Sequence, residues 1–212
     1  MSNMDILEGL NQHQREAVEA VDGPLLILAG PGSGKTRVIT HRIAYLVREC
    51  GINPYRIAAV TFTNKAAREM KDRLEQLMGP HAQDLTVATF HAFCAMLLRR
   101  DGENIGLPRE FTIYDDSDQQ SLLKRCMEEV NVDPKQYAPR AIHSAISSAK
   151  SQLIDVEAFG LAKGSYWDEI VHRVYERYEL RLAQASAVDF DDLLFKVFSL
   201  LQRHPDVAAK YQ

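Results

Sequence analysis

The run Leu25-Leu26-Ile27-Leu28 leads directly into Ala29-Gly30-Pro31-Gly32-Ser33-Gly34-Lys35-Thr36. Four consecutive apolar residues bounded by turn formers read as a buried strand over residues 24–28. The three glycines and the proline that follow cannot continue it. Glycine weakens element interiors, so a cluster of it serves unusual dihedrals or close backbone approach to another group. The spacing is that of the phosphate-binding loop, with alanine at the first position where glycine is commoner. Such a loop turns its amides inward around a polyphosphate at a helix N-terminus, where the dipole favours anions. Residues 29–34 would form the cradle. Lys35 would reach the β- and γ-phosphates, and the Thr36 hydroxyl would ligate Mg²⁺. A glycine-rich turn without a ligand is the competing reading. The strand before the loop and the apolar-periodic helix expected over 36–49 supply the context a nucleotide site needs.

The surrounding pattern alternates. Helices are expected over 11–21, 36–49, 64–78 (opened by Asn64 as N-cap) and 90–100, with strands over 24–28, 57–62 and 85–89. Strands separated by helices of this length imply crossover connections, and therefore a parallel sheet in an α/β fold. After Asp101 the pattern changes. Residues 102–109 hold Gly102, Gly106 and Pro108 and read as a boundary. Beyond it the periodicity is helical almost throughout, over 117–130, 139–152, 165–185 and 190–203, with a short piece from Pro205. The expected organisation is an α/β unit over 1–100 and a mainly helical unit over 101–212.

Charge and cysteine usage narrow the functional classes. The net charge of −4 argues against a globally basic nucleic-acid binder. Residues 1–100 carry 12 Lys and Arg against 10 Asp and Glu, and residues 101–212 carry 13 against 19. Any nucleic-acid contact is therefore expected to be local and in the first half. No apolar stretch approaches the ~20 residues of a membrane span. The start lacks the basic and apolar regions of a signal peptide. Cys50, Cys94 and Cys126 stand far apart and read as reduced thiols of a cytoplasmic protein. His91 and Cys94 could share a helix face, but no second metal-ligating pair lies nearby.

Phe62 ends the second expected strand, within Thr61-Phe62-Thr63-Asn64-Lys65. A core phenylalanine is one reading. The other notes its neighbours, which offer hydroxyl, amide and ammonium donors beside a ring, the combination single-stranded nucleic acid requires. Ligands of open parallel sheets also gather at the carboxyl ends of the strands. The third strand ends similarly, in Thr89-Phe90-His91.

Five segments in order now define a resemblance. Leu10–Val18 (LNQHQREAV), the phosphate loop with its trailing Thr36-Arg37, AVTFTNKAAREM from Ala59, TFHAFC from Thr89 and VDFDDLL from Val188 resemble the N-terminal part of UvrD/PcrA/Rep-type superfamily 1 DNA helicases. The resemblance implies a partial RecA-like sheet with a helical insertion, and ATP with Mg²⁺ as cofactors. It further implies translocation on single-stranded DNA with 3′-to-5′ polarity and unwinding of duplex DNA. Gln14 would read the adenine edge, as a side-chain amide can, and Arg37 would lie beside the ring. Thr61, Phe62, Thr63, Asn64, Lys65, Thr89 and His91 would contact single-stranded DNA. Ala92 stands where the family frequently has serine. A nucleotide-gated DNA-binding module and a small-molecule P-loop kinase are the alternatives.

Asp189, Asp191 and Asp192 resemble an acidic Mg²⁺ motif, but the residues before them are too short and polar a run for the buried strand that motif ends. Ser186 with Asp189 reads instead as a capping box opening a helix. The family's acidic motif follows a similar helix and is not reached by Gln212. The chain is thus expected to be joined to further helicase domains on its C-terminal side, and to hydrolyse no ATP without them.

Overall fold

The computed structural model describes residues 6–162 and 164–211. The chain divides between Phe90 and His91 into two compact units, about ten residues before the division expected from composition.

In the first unit, α1 (Gln12–Glu19) opens on a reciprocal cap. Asn11 Oδ1 accepts from the Gln14 amide at 2.9 Å, and the Asn11 amide donates to Gln14 Oε1 at 3.1 Å. The other end of α1 is held by Arg42 of α2 (Lys35–Arg48), whose guanidinium donates to the carbonyls of Ala17 and Ala20. After α2 come β1 (Ala58–Thr61), α3 (Asn64–Met78) and β2 (Thr86–Thr89). The two strands pair in parallel, Ala58 opposite Thr86 and Thr61 opposite Thr89. Helix α3 carries seven charged residues, and its Met70, Leu74 and Met78, spaced four apart, are buried. They pack with Ile43, Ala44, Ala59 and Leu85 into the core of this unit.

Two expectations fail here. Residues 24–28 form no strand, and Leu26 and Leu28 are 79% and 85% exposed. An extended run becomes a strand only beside a neighbour that completes its hydrogen-bond ladder, and among the described residues β1 and β2 pair only with each other. The cap of α3 is Thr63, not Asn64: the Thr63 hydroxyl accepts from the Ala66 amide at 3.1 Å.

In the second unit, α4 (Phe90–Asp101), β3 (Thr112–Ile113), α5 (Asp116–Glu129), α6 (Pro139–Ser151) and α7 (Val156–Ala162) precede α8 (Tyr166–Gln184), β4 (Ala187–Val188), α9 (Phe190–Arg203) and α10 (Pro205–Ala209). Helix α7 and the short parallel pair β3–β4 were not legible as such, and the pair makes this unit helical but not purely so. It divides two cores. Successive residues of a strand face opposite ways, so Ala187 joins the α5–α6–α8 core while Val188 joins Cys94, Leu98, Phe111, Leu193 and Val197. The last described residues close on α4. Lys210 Nζ and the Tyr211 hydroxyl donate to the two carboxylate oxygens of Asp101 at 2.7 and 2.6 Å.

Candidate nucleotide and nucleic-acid sites

Gly32 and Gly34 adopt the left-handed conformation, φ 76° and 83°, which L side chains resist. Gly34 is also the N-cap of α2. It offers no side chain to cap the helix, so the first-turn amides have no side-chain acceptor and face outward as anion donors. Lys35 is the first helical residue, and its ammonium folds back across the loop to the carbonyls of Ala29 and Gly30 at 2.8 and 2.7 Å. Ser33 Oγ donates to the Gly30 carbonyl at 2.6 Å. Pro31 is exposed, and Thr36, the next residue along α2, is half-buried. The loop thus gathers glycine amides, a helix N-terminus, one ammonium and one hydroxyl, a donor set that fits a magnesium-bound polyphosphate.

Gln14 couples α1 to this loop. While its Oε1 closes the α1 cap, its Nε2 donates to the Ser33 carbonyl at 3.0 Å. One amide hydrogen and one lone pair remain for a base edge. A Cβ at Gly34 would stand 3.1 Å from Gln14 Nε2, and one at Gly9 2.8 Å from an Arg37 guanidinium nitrogen. Both glycines therefore admit the side chains expected at an adenine.

The β1–β2 register explains the aromatic site. Because Thr61 lies opposite Thr89, the next residues, Phe62 and Phe90, leave the carboxyl ends of both strands together. Their rings lie 5.4 Å apart, tilted by 43°. Phe62 is 91% exposed, which removes the core reading. Thr63, Asn64 and Lys65 are exposed around the first turn of α3, and Thr89 is half-buried. Thr61 departs from expectation. It is buried, and its hydroxyl donates to the Thr63 carbonyl at 3.1 Å. Its inward direction follows from strand alternation, which puts Phe62 outward and Thr61 inward.

In the second unit, exposed His91 meets Phe190 edge to face, 5.9 Å between ring centres. Cys94 is buried, and burial raises its thiol pKa. Sequence reasoning missed Phe190. Its signal was a second apolar stripe on α9: Phe190, Leu194 and Phe198 are exposed beside the buried Leu193, Val197 and Leu200. One core does not need both.

The acidic cluster resolves against Mg²⁺. Among the described residues the only group of three metal-competent side chains is Glu179, Asp189 and Asp192. Lys150 Nζ fills it, 2.6, 2.8 and 2.9 Å from their oxygens. The capping box expected at Ser186 and Asp189 lies instead between Asp189 and Asp192. Ser186 is left-handed, φ 49°, at the turn before β4. Asp191 is half-buried.

The chain belongs to the UvrD/REP helicase N-terminal domain family, whose pattern matches residues 10–212. It is 50% identical over 207 residues to the ATP-dependent DNA helicase PcrA of Bacillus subtilis, covering 98% of this chain, and 48% identical over 213 residues to PcrA of Leuconostoc citreum. PcrA of Staphylococcus aureus is 45% identical over 207 residues. The chain spans 28% of the length of these relatives. Among the described residues no helix is long and apolar enough to cross a membrane.

Proposed function

We propose that this chain is the ATP-binding N-terminal part of a DNA helicase that translocates 3′ to 5′ along single-stranded DNA and unwinds duplex DNA. The observation that carries the nucleotide reading is the left-handed, uncapped glycine turn that sets Lys35 at the start of α2. In this reading residues 29–36 hold the phosphates of ATP, Thr36 supplies a hydroxyl to Mg²⁺, and Gln14 and Arg37 flank the base. The metal, when bound, neutralises charge on the transferring phosphoryl group. The chain's own residues bind and orient the nucleotide.

Single-stranded DNA stacks on Phe62, with Thr63, Asn64 and Lys65 as donors beside it and Thr89 at the end of β2. In the second unit it contacts His91 and, in this reading, Phe190, whose ring lies edge to face with His91. Exposed aromatics flanked by donors support this reading. Hydrolysis needs groups beyond these, a positioned water and a charge-stabilising arginine. Domains C-terminal to this region supply them in the longer protein, so residues 1–212 alone hydrolyse no ATP.

Calorimetry of Mg·ATP binding to wild type and Lys35→Ala tests the nucleotide site. At least tenfold weaker binding by the variant is expected. Equal affinities would remove the phosphate-loop assignment.

A further inference from the structure

Lys150 is buried to 2% relative exposure near the end of α6, where an uncompensated ammonium would be strongly disfavoured. Burial pulls its pKa down, but Asp192, Glu179 and Asp189 more than offset this and hold it above the usual lysine range. Lys196 adds a second cation, 3.6 Å from both Glu179 and Asp192. Glu179 contributes an ion pair without hydrogen-bond alignment.

The two aspartates divide their oxygens. Asp189 Oδ1 accepts from the Asp192 amide at 2.7 Å, and Asp192 Oδ2 accepts from the Asp189 amide at 3.3 Å, which closes the cap of α9. The remaining oxygens, Asp189 Oδ2 and Asp192 Oδ1, both accept from Lys150 Nζ. The ammonium therefore ties α6 to both ends of the cap. Phe190 is the first helical residue inside that cap, and its ring lies against His91. Well-packed apolar residues often match or exceed a buried ion cluster in stability. A fixed geometry is what this cluster adds.

We propose that Lys150 is a positioning residue for single-stranded DNA: through the Asp189–Asp192 cap it fixes the first turn of α9 and holds Phe190 against His91 as a preformed stacking pair. The inference rests on the nucleic-acid reading of that pair. Lys150 touches no DNA itself.

The test is a double-mutant cycle in the full-length protein, read as fluorescence anisotropy of a labelled oligothymidylate. Phe190→Ala removes the stacking ring and should weaken binding by about 5- to 150-fold, the equivalent of one lost base stack. Lys150→Met should weaken binding in the same range while Mg·ATP affinity stays within about twofold. In the Phe190→Ala background, Lys150→Met should add less than about twofold, because the ring it positions is gone. A merely structural lysine would multiply the two losses, and that result overturns the inference, as does wild-type DNA affinity in folded Lys150→Met. Should Lys150→Met fail to fold, Asp189→Asn takes its place. It keeps an oxygen for the cap and removes the charge that grips Lys150, and its loss of DNA affinity should also vanish in the Phe190→Ala background. Wild-type affinity in Asp189→Asn would refute the proposal. Unchanged DNA affinity in Phe190→Ala would instead sink the nucleic-acid reading of this face, and the positioning role with it.

Discussion

Phe62→Ala separates two properties that an aromatic residue at a strand end usually confounds. Phe62 is 91% exposed, so about a tenth of its surface is covered. An aromatic side chain buries roughly 200 Å² when fully enclosed. The covered part is then of order 20 Å², or about 0.5 kcal/mol at 25 cal/mol per Å². The ring pair adds about 0.5–1.5 kcal/mol. Against this stands about 1–3 kcal/mol per base for lost stacking on single-stranded DNA, about 5- to 150-fold in Kd. The variant should therefore melt within a few degrees of wild type, bind Mg·ATP equally, and lose oligonucleotide affinity by one to two orders of magnitude. Anisotropy titration, calorimetry and thermal denaturation of the same preparations measure all three. An unchanged Kd would refute the stacking role. A large drop in melting temperature with unchanged affinity would show that the ring supports the fold, and that its exposure misleads.

Other consequences follow from the same geometry. Asp191→Asn in the full-length protein should leave residual DNA-stimulated ATP turnover in a steady-state assay, because Asp191 sits in the capped first turn of α9 and not at the end of a long buried strand; complete loss would make this segment the metal motif. Lys150→Met leaves buried carboxylates without their cation and should cost about 3–5 kcal/mol in urea denaturation. Thiol labelling at pH 8 should modify exposed Cys50 first, whereas Cys126 resists: burial, aided by Glu129, pushes its pKa up to about 11, so little thiolate forms. Asp101 has its pKa lowered by the hydrogen bonds from Lys210 and Tyr211. Its stabilising effect is complete above the ordinary carboxylate value near 3.9 and fades as pH falls through the lower folded value. Amide exchange in α10 should therefore accelerate in strong acid, and Lys210→Ala should make that acceleration begin at higher pH.

What the sequence determined by itself was local. Helix positions follow from apolar spacing and caps, and those signals lie within a few residues of one another: the expected and observed bounds of α9 coincide at Phe190–Arg203. The Gly32–Gly34–Lys35 turn was legible for the same reason, since left-handed backbone and a following helix are written in adjacent residues. Tertiary structure decided everything that depends on a partner distant in the chain. Residues 24–28 carry strand composition, yet a strand exists only where a neighbour completes its ladder, and none of the described residues does so. Whether Phe62 was core or surface turned on which face of β1 packs against α3: alternation along the strand then puts Thr61 inward and Phe62 outward. Three aspartates in four residues could have been a metal site. Lys150, 39 residues before Asp189, made two of them a lysine clamp, because a buried ammonium and the carboxylates around it can each be accommodated only in the presence of the other.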